Sequence, residues 1–68
     1  MANFHFEIGQ RVIVEHYGAG RIETLPYNEK SDVYGVWLDK PEMIETSHGT
    51  VPNHWVPVPE KYMRKCQN

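Results

Sequence analysis

The chain has one cysteine, Cys66, among 68 residues, so no internal disulfide can staple it. That fits a reducing compartment, and a cytoplasmic location is the expectation. No apolar run approaches the ~20 residues of a membrane-spanning helix. The opening Met1-Ala2-Asn3-Phe4-His5-Phe6-Glu7 lacks the pattern of a secretory signal. Neither sign of charge dominates. Seven Lys and Arg are interspersed with nine Asp and Glu, for a formal net charge of −2. The basic surplus that sequence-independent nucleic-acid binding draws on is missing. The chain is also short. A domain of this size buries only about 60% of the surface its unfolded form exposes. Its core supplies roughly 3–5 kcal/mol of net stability. Little is left to hold a strained, dehydrated catalytic pocket, so a role without catalysis is the expectation.

The usual chemical constellations are also absent. The histidines His5, His16, His48 and His54 are scattered, with no His-x-His and no Cys-x-x-Cys. Structural zinc takes four ligands at compact spacings, commonly with two or more cysteines. No metal and no cofactor are expected. The histidines read as surface or turn residues that can make binding pH-sensitive between about pH 5 and 8. Ser47 beside His48 is no catalytic pair if the segment is extended, because neighbours in a strand face opposite ways. Cys66 has no identified base and lies in the tail. Gly18-Ala19-Gly20 precedes a strand and not a helix, so a dinucleotide-binding loop does not apply.

What the chain does have is strand signal. In Ile8 to Leu25, Val12 and Val14 alternate with Arg11, Ile13 and Glu15, the period of a half-buried strand. Gly18 and Gly20 are expected to reverse the chain, since glycine reaches positive φ cheaply. A second strand follows from Arg21 to about Tyr27. Pro26 to Asp32 reads as a loop. Val33 to Asp39 is the third strand, with Tyr34, Val36 and Leu38 on one face and Val33, Trp37 and Asp39 on the other. Asp39 marks its face as the wet one, which places Trp37 outside. Lys40-Pro41-Glu42 is expected to end that strand, because proline cannot donate to a ladder. Met43 to Ser47 is the expected fourth strand and His48-Gly49 a turn. Thr50 to Pro52 and Trp55 to Val58 form a closing segment. Phe4 and Phe6 alternate with His5 as a lead-in strand or as a coil over one end. Pro59-Glu60 suits a helical start, and Tyr62 and Cys66 share one face of the helix that would follow. The expected fold is all-β: a small five-stranded antiparallel SH3-like or Tudor-like barrel over 4–60, with a short helix and frayed tail over 61–68.

Two families share residues with this pattern. Ile8-Gly9-Gln10-Arg11-Val12-Ile13-Val14, His16-Tyr17-Gly18-Ala19-Gly20-Arg21-Ile22 and Val56-Pro57-Val58 resemble the CarD-type RNA-polymerase-interacting domain. The resemblance implies a Tudor-like barrel that docks on a polymerase subunit, largely through a sheet edge. From Asp39 to His54 the chain departs from that pattern. Tyr34-Gly35-Val36-Trp37-Leu38-Asp39-Lys40-Pro41 is similar to a strand of CAP-Gly domains. The peptide-binding Gly-Lys-Asn-Asp-Gly of that family is replaced by Glu42-Met43-Ile44-Glu45-Thr46-Ser47, so only the scaffold is implied.

Small barrels of this kind bind more often than they catalyse. The expected function is recognition of a protein partner, either as a small adaptor or as a phage-type regulator of transcription. In the second form it would dock on RNA polymerase or another nucleic-acid machine. The candidate contact residues are Trp37, Tyr17, Tyr27, Arg21 and Asp39. An exposed tryptophan on a strand is a common interface anchor. Tyr17 at the turn and Tyr27 in the next loop are candidates for the same barrel end. Tyr34 and Trp55 are expected to be structural. The second reading is direct nucleic-acid binding through Arg11, Arg21, Lys61, Arg64, Lys65 and exposed rings, by stacking plus charge. In the first reading Lys61, Arg64 and Lys65 are a solvated helical end.

Overall fold

Residues 4–66 are described by the computed structural model. The alternating apolar stretches form β1 (Arg11–Val14), β2 (Gly18–Thr24), β3 (Val33–Thr46), β4 (Gly49–Pro59) and β5 (Met63–Lys65). A single 3-10 turn, Glu60–Tyr62, joins the last two. All neighbours pair antiparallel in the order β4-β3-β2-β1-β5. The expected five-stranded antiparallel sheet is therefore present. Its edges are β4 and β5, and hydrogen bonds do not close it into a barrel.

One face of this sheet is the core. Val12, Val14, Ile22, Tyr34, Val36, Leu38, Val56, Val58 and Met63 are buried together. Val12 and Val56 share that core across two intervening strands, so the sheet curls over itself. A bulge at Glu23 of β2, where Ile22↔Val36 is followed by Thr24↔Gly35, increases the local bend. The N-terminal segment is a coil that caps one end. Phe6 and Phe4 meet the Tyr34 ring edge-on, with centroids 5.4 Å and 6.3 Å away. Buried at 1% exposure, Tyr34 is structural as expected.

Three local expectations are corrected. The first concerns the glycines. The reversal comes at Glu15–Tyr17, before Gly20, with His16 at φ 71° and Gly18 at φ 89°. Gly20 lies within β2, opposite both Val12 and Leu38. A Cβ there would come within 2.7 Å of the Trp37 carbonyl oxygen and 2.9 Å of a Val36 methyl. Close approach of two strands, not positive φ, requires this glycine.

The second correction concerns the C-terminus. The helix expected from residue 61 does not form. Met63–Lys65 pairs with β1 instead, through Val12↔Lys65, Ile13↔Arg64 and Val14↔Met63. Cys66, expected in a frayed end, donates its N–H to the Arg11 carbonyl at 3.1 Å. Pairing covers an edge of β1 that would otherwise be bare and puts Met63 in the core. A local helix would leave the backbone groups of that edge without ladder partners. Gln67 and Asn68 of the expected tail lie outside the described residues.

The third correction concerns Pro41. It does not end the strand, and Met43 to Ser47 is not a separate one. β3 runs through Pro41 while its pairing with β4 lapses. Trp37↔Trp55 is followed by Glu42↔Asn53, so Leu38–Pro41 stand opposite His54 alone. The residue without an N–H sits inside that irregularity. β2 pairs with β3 no further than Leu38. Beyond it, Glu42–Asn53 is a two-stranded arm turned by Ser47-His48-Gly49, with Gly49 at φ 108°. Every residue from Glu42 to Pro52 is exposed. Among the described residues no further strand pairs with this arm, and the molecule extends 43 Å along its longest axis.

Candidate functional site

Outward-facing residues of four strands fall into one row. Arg11 of β1 stands opposite Arg21 of β2, Arg21 opposite Trp37 of β3, and Trp37 opposite Trp55 of β4. Residues directly opposite share a face. Four strands at ~4.8 Å spacing give the row a length of roughly 15 Å. The local cause is alternation: Val12, Ile22, Val36 and Val56 point into the core, so their neighbours Arg11, Arg21, Trp37 and Trp55 point out.

Both rings are held in place. The Arg21 guanidinium lies 5.9 Å from the Trp37 ring centroid. Trp37 also stacks on the His54 imidazole, with centroids 4.8 Å apart and planes 3° apart. His54 is fixed in turn by its Nδ1–H, which donates to the Leu38 carbonyl at 2.8 Å. Trp55 lies across Gly35. A Cβ on Gly35 would meet the indole Nε1 at 2.6 Å and its ring carbons at 2.7–2.8 Å. The absent side chain is the seat of the ring. Gly35→Ala is therefore expected to displace Trp55 while the sheet stays folded, because the crowded atoms belong to a side chain. Tryptophan emission shifting to the red with an intact far-ultraviolet spectrum is the expected result. An unchanged emission would show that the ring does not rest there.

Like charges opposite one another in a sheet repel, and Arg11 faces Arg21. Each is matched by a carboxylate. Arg11 donates through Nη1 to Asp39 Oδ1 at 2.8 Å and through Nη2 to Oδ2. Arg21 Nε lies 3.5 Å from Glu23 Oε2. The hydrogen bond from Arg11 holds the Asp39 carboxyl below the usual carboxylate range, and the charges of Arg11 and Arg21 act the same way. A depressed native value means that the pair stabilises the fold above the unfolded pKa, about 3.9. That contribution fades as pH falls through the native value. The Asp39 carboxyl resonance is expected to titrate below about 3.9, and to return toward it in Arg11→Met. A midpoint at the ordinary value in the parent chain would remove the pair from solution.

The structure brings together Arg21, Trp37 and Asp39 of the expected contact residues. Trp37 is 37% exposed, which agrees with the reading of its strand phase. Tyr17 borders the Asp39 end, in a hollow of about 290 Å³ lined by Tyr17, Gly18, Ala19, Asp39 and Lys40. Tyr27 does not join them. It is 95% exposed in the loop after β2, whereas Tyr17 precedes β2, so the seven residues of that strand separate the two rings. The shared barrel end expected for them is corrected. Trp55, expected to be structural, is 41% exposed on the same face as Trp37. Sequence reasoning missed it and His54. The signal available was Val56 and Val58, whose alternation puts Trp55 outside.

The basic residues divide into two groups. Arg11 and Arg21 are on the row, each beside an acid. Lys61 lies 5.2 Å from the Tyr62 ring centroid. Arg64 and Lys65 are on the edge strand β5 and not on a helical end. Among the described residues, no three His, Cys, Asp or Glu side chains come together as metal ligands. Among the same residues, no helix is long and apolar enough to cross a membrane. Comparison of the chain with protein-family models, with characterised proteins and with solved structures gives no match.

Proposed function

We propose that this chain is a non-catalytic protein-binding module that seats its partner on the Arg21–Trp37–Trp55 face. The observation that carries the reading is the row itself. Two half-exposed tryptophans stand side by side, each braced from beneath or beside by Arg21, His54 or the bare Gly35 backbone. Rings ordered before binding lose little freedom on binding, and tryptophan and arginine are the usual anchors of interfaces. The two carboxylates, Asp39 and Glu23, add acceptors at the rim.

The curled sheet, with β5 returning to β1 after a 3-10 turn, is read as an SH3-like barrel left open between β4 and β5. On that scaffold, the resemblance of Ile8–Ile22 and Val56–Val58 to CarD-type domains sharpens the proposal. The partner is RNA polymerase or another nucleic-acid machine, and the chain acts as a small cytoplasmic regulator that occupies a surface of it. Direct nucleic-acid binding ranks second. Arg11 and Arg21 each have a carboxylate neighbour that a phosphate would have to displace.

The test is capture of partners from bacterial lysate at low and moderate salt, with nuclease-treated controls. A stoichiometric protein that survives nuclease and salt is the expected result. Recovery of nucleic acid alone, lost steeply as salt rises, would replace the proposal with the second reading.

A further inference from the structure

We propose that the seam left open between β4 and β5 is a binding site for an arginine side chain of a protein partner, received between the rings of Tyr17 and Tyr62. The seam shares no lining residue with the Arg21–Trp37–Trp55 row, so the two proposals stand or fall independently.

The site is a hollow of about 300 Å³, at the small end of the range for ligand pockets. Buried Val14 of β1 and Val58 of β4 line it from below, so it spans the gap that hydrogen bonds leave open. Tyr17 and Tyr62 flank it, 42% and 44% exposed. Both are held by backbone bonds to one strand. The Glu15 N–H donates to the Tyr62 carbonyl at 2.8 Å, and the Tyr17 N–H donates to the Val14 carbonyl at 3.1 Å. The two rings therefore stand on a common frame before any ligand arrives, which lowers the ordering cost of binding.

The ligand follows from what the hollow offers, which is acceptors. Pro57 and Pro59 line it and stand opposite Gly35 and Val33 of β3. Bonded and unbonded positions alternate along an antiparallel ladder, and a proline has no N–H to give. Val56 and Val58 therefore carry the bonds to β3, and the carbonyls of Pro57 and Pro59 point away from it, on the side of the seam. Across the gap, the Met63 N–H is already bonded to the Glu60 carbonyl. The one carboxylate lining the hollow is Glu15, with its side chain 56% exposed and His16 Nε2 3.7 Å away. No Lys or Arg lines it. Two ring faces, two carbonyls and a carboxylate complement a cation that carries several N–H groups. The Tyr62 ring already draws one cation from its own chain, the Lys61 Nζ at 5.2 Å from its centroid. Guanidinium fits better than ammonium, because it is planar, weakly hydrated, stacks on rings and donates in a fork. The same acceptors repel a phosphate, so this hollow favours a protein over a nucleic acid.

The test titrates the full chain with N-acetyl-arginine methylamide and follows the ring resonances of Tyr17 and Tyr62 by NMR. Saturable shifts of both rings are expected. N-acetyl-citrulline methylamide, which keeps the shape without the charge, is expected to bind about tenfold more weakly. Glu15→Gln is expected to weaken the arginine probe roughly fivefold. Lys61→Gln removes the cation that competes at Tyr62 and is expected to tighten the probe about twofold. Both substitutions fall on exposed side chains, so the circular dichroism spectrum should not change. Effects of opposite sign separate an electrostatic site from local damage to the fold. Free arginine brings its own carboxylate toward Glu15 and is expected to bind more weakly than the capped probe. Tighter binding of the free amino acid would make the ligand a small molecule and overturn the protein partner. Equal shifts from the citrulline probe, or no shift at either ring, would overturn the site.

Discussion

Tyr34→Ala is expected to leave the chain largely unfolded at 25 °C. The ring is 1% exposed and sits where β3 crosses the core. Phe4 and Phe6 meet it edge-on, so its removal also strips the N-terminal coil of both ring contacts. Truncating a buried aromatic costs about 3–5 kcal/mol. A chain of this length has roughly 3–5 kcal/mol in total. The two figures are equal in size, and that decides the outcome. Urea unfolding followed by near-ultraviolet circular dichroism measures it. Tyr34→Phe separates ring from hydroxyl. It keeps the packing and loses the hydroxyl's interactions, a long hydrogen bond to Glu60 Oε1 at 3.4 Å and those with the His5 and Phe6 backbone. A loss of about 0.5–1.5 kcal/mol is expected for it, and a folded protein. Full retention of the cooperative transition in Tyr34→Ala would show that the core is anchored elsewhere.

Three residues away, Trp37→Ala is expected to do the opposite. It should weaken partner binding by at least about 2 kcal/mol, or roughly thirtyfold, and change folding by no more than about 1 kcal/mol. The ring rests on the outer face, on Arg21 and His54, so its loss opens no cavity in the core. The stability term is that of a surface change, slightly enlarged by the lost stacking. Titration of the captured partner against parent and variant, beside denaturant curves for both, reads the two quantities separately. Trp55→Ala is expected to follow the same pattern, since it continues the row. Unchanged affinity in both variants would remove the row from the interface. Collapse of the fold in Trp37→Ala would contradict the outward placement of the ring.

The contrast between Tyr34 and Trp37 was legible in the sequence. Tyr34, Val36 and Leu38 alternate with residues that include Asp39, and a charged residue on one face of a strand tells which side is wet. The same reasoning located β1 through Val12 and Val14 and β2 through Ile22. These are local patterns of period two, and the register of a half-buried strand follows from them. The one sequence signal left unused was the alternation of Val56 and Val58, which places Trp55 beside Trp37.

Other features depended on what lies opposite. Pro41 reads as a strand terminator when its only context is Lys40 and Glu42. It is tolerated because β4 supplies a single residue, His54, across from four of β3. Gly20 reads as a turn residue until Val36 and Trp37 are seen packed against its Cα. Met63 to Lys65 reads as helix after a proline start, yet the bare edge of β1 captures it as a strand. The sequence by itself determined an all-β chain with Trp37 on its outer face, because alternation is a property of neighbours in the chain. The tertiary structure alone decided the tryptophan row, the projecting arm and the last strand, because each is set by cross-strand partners that are distant along the chain.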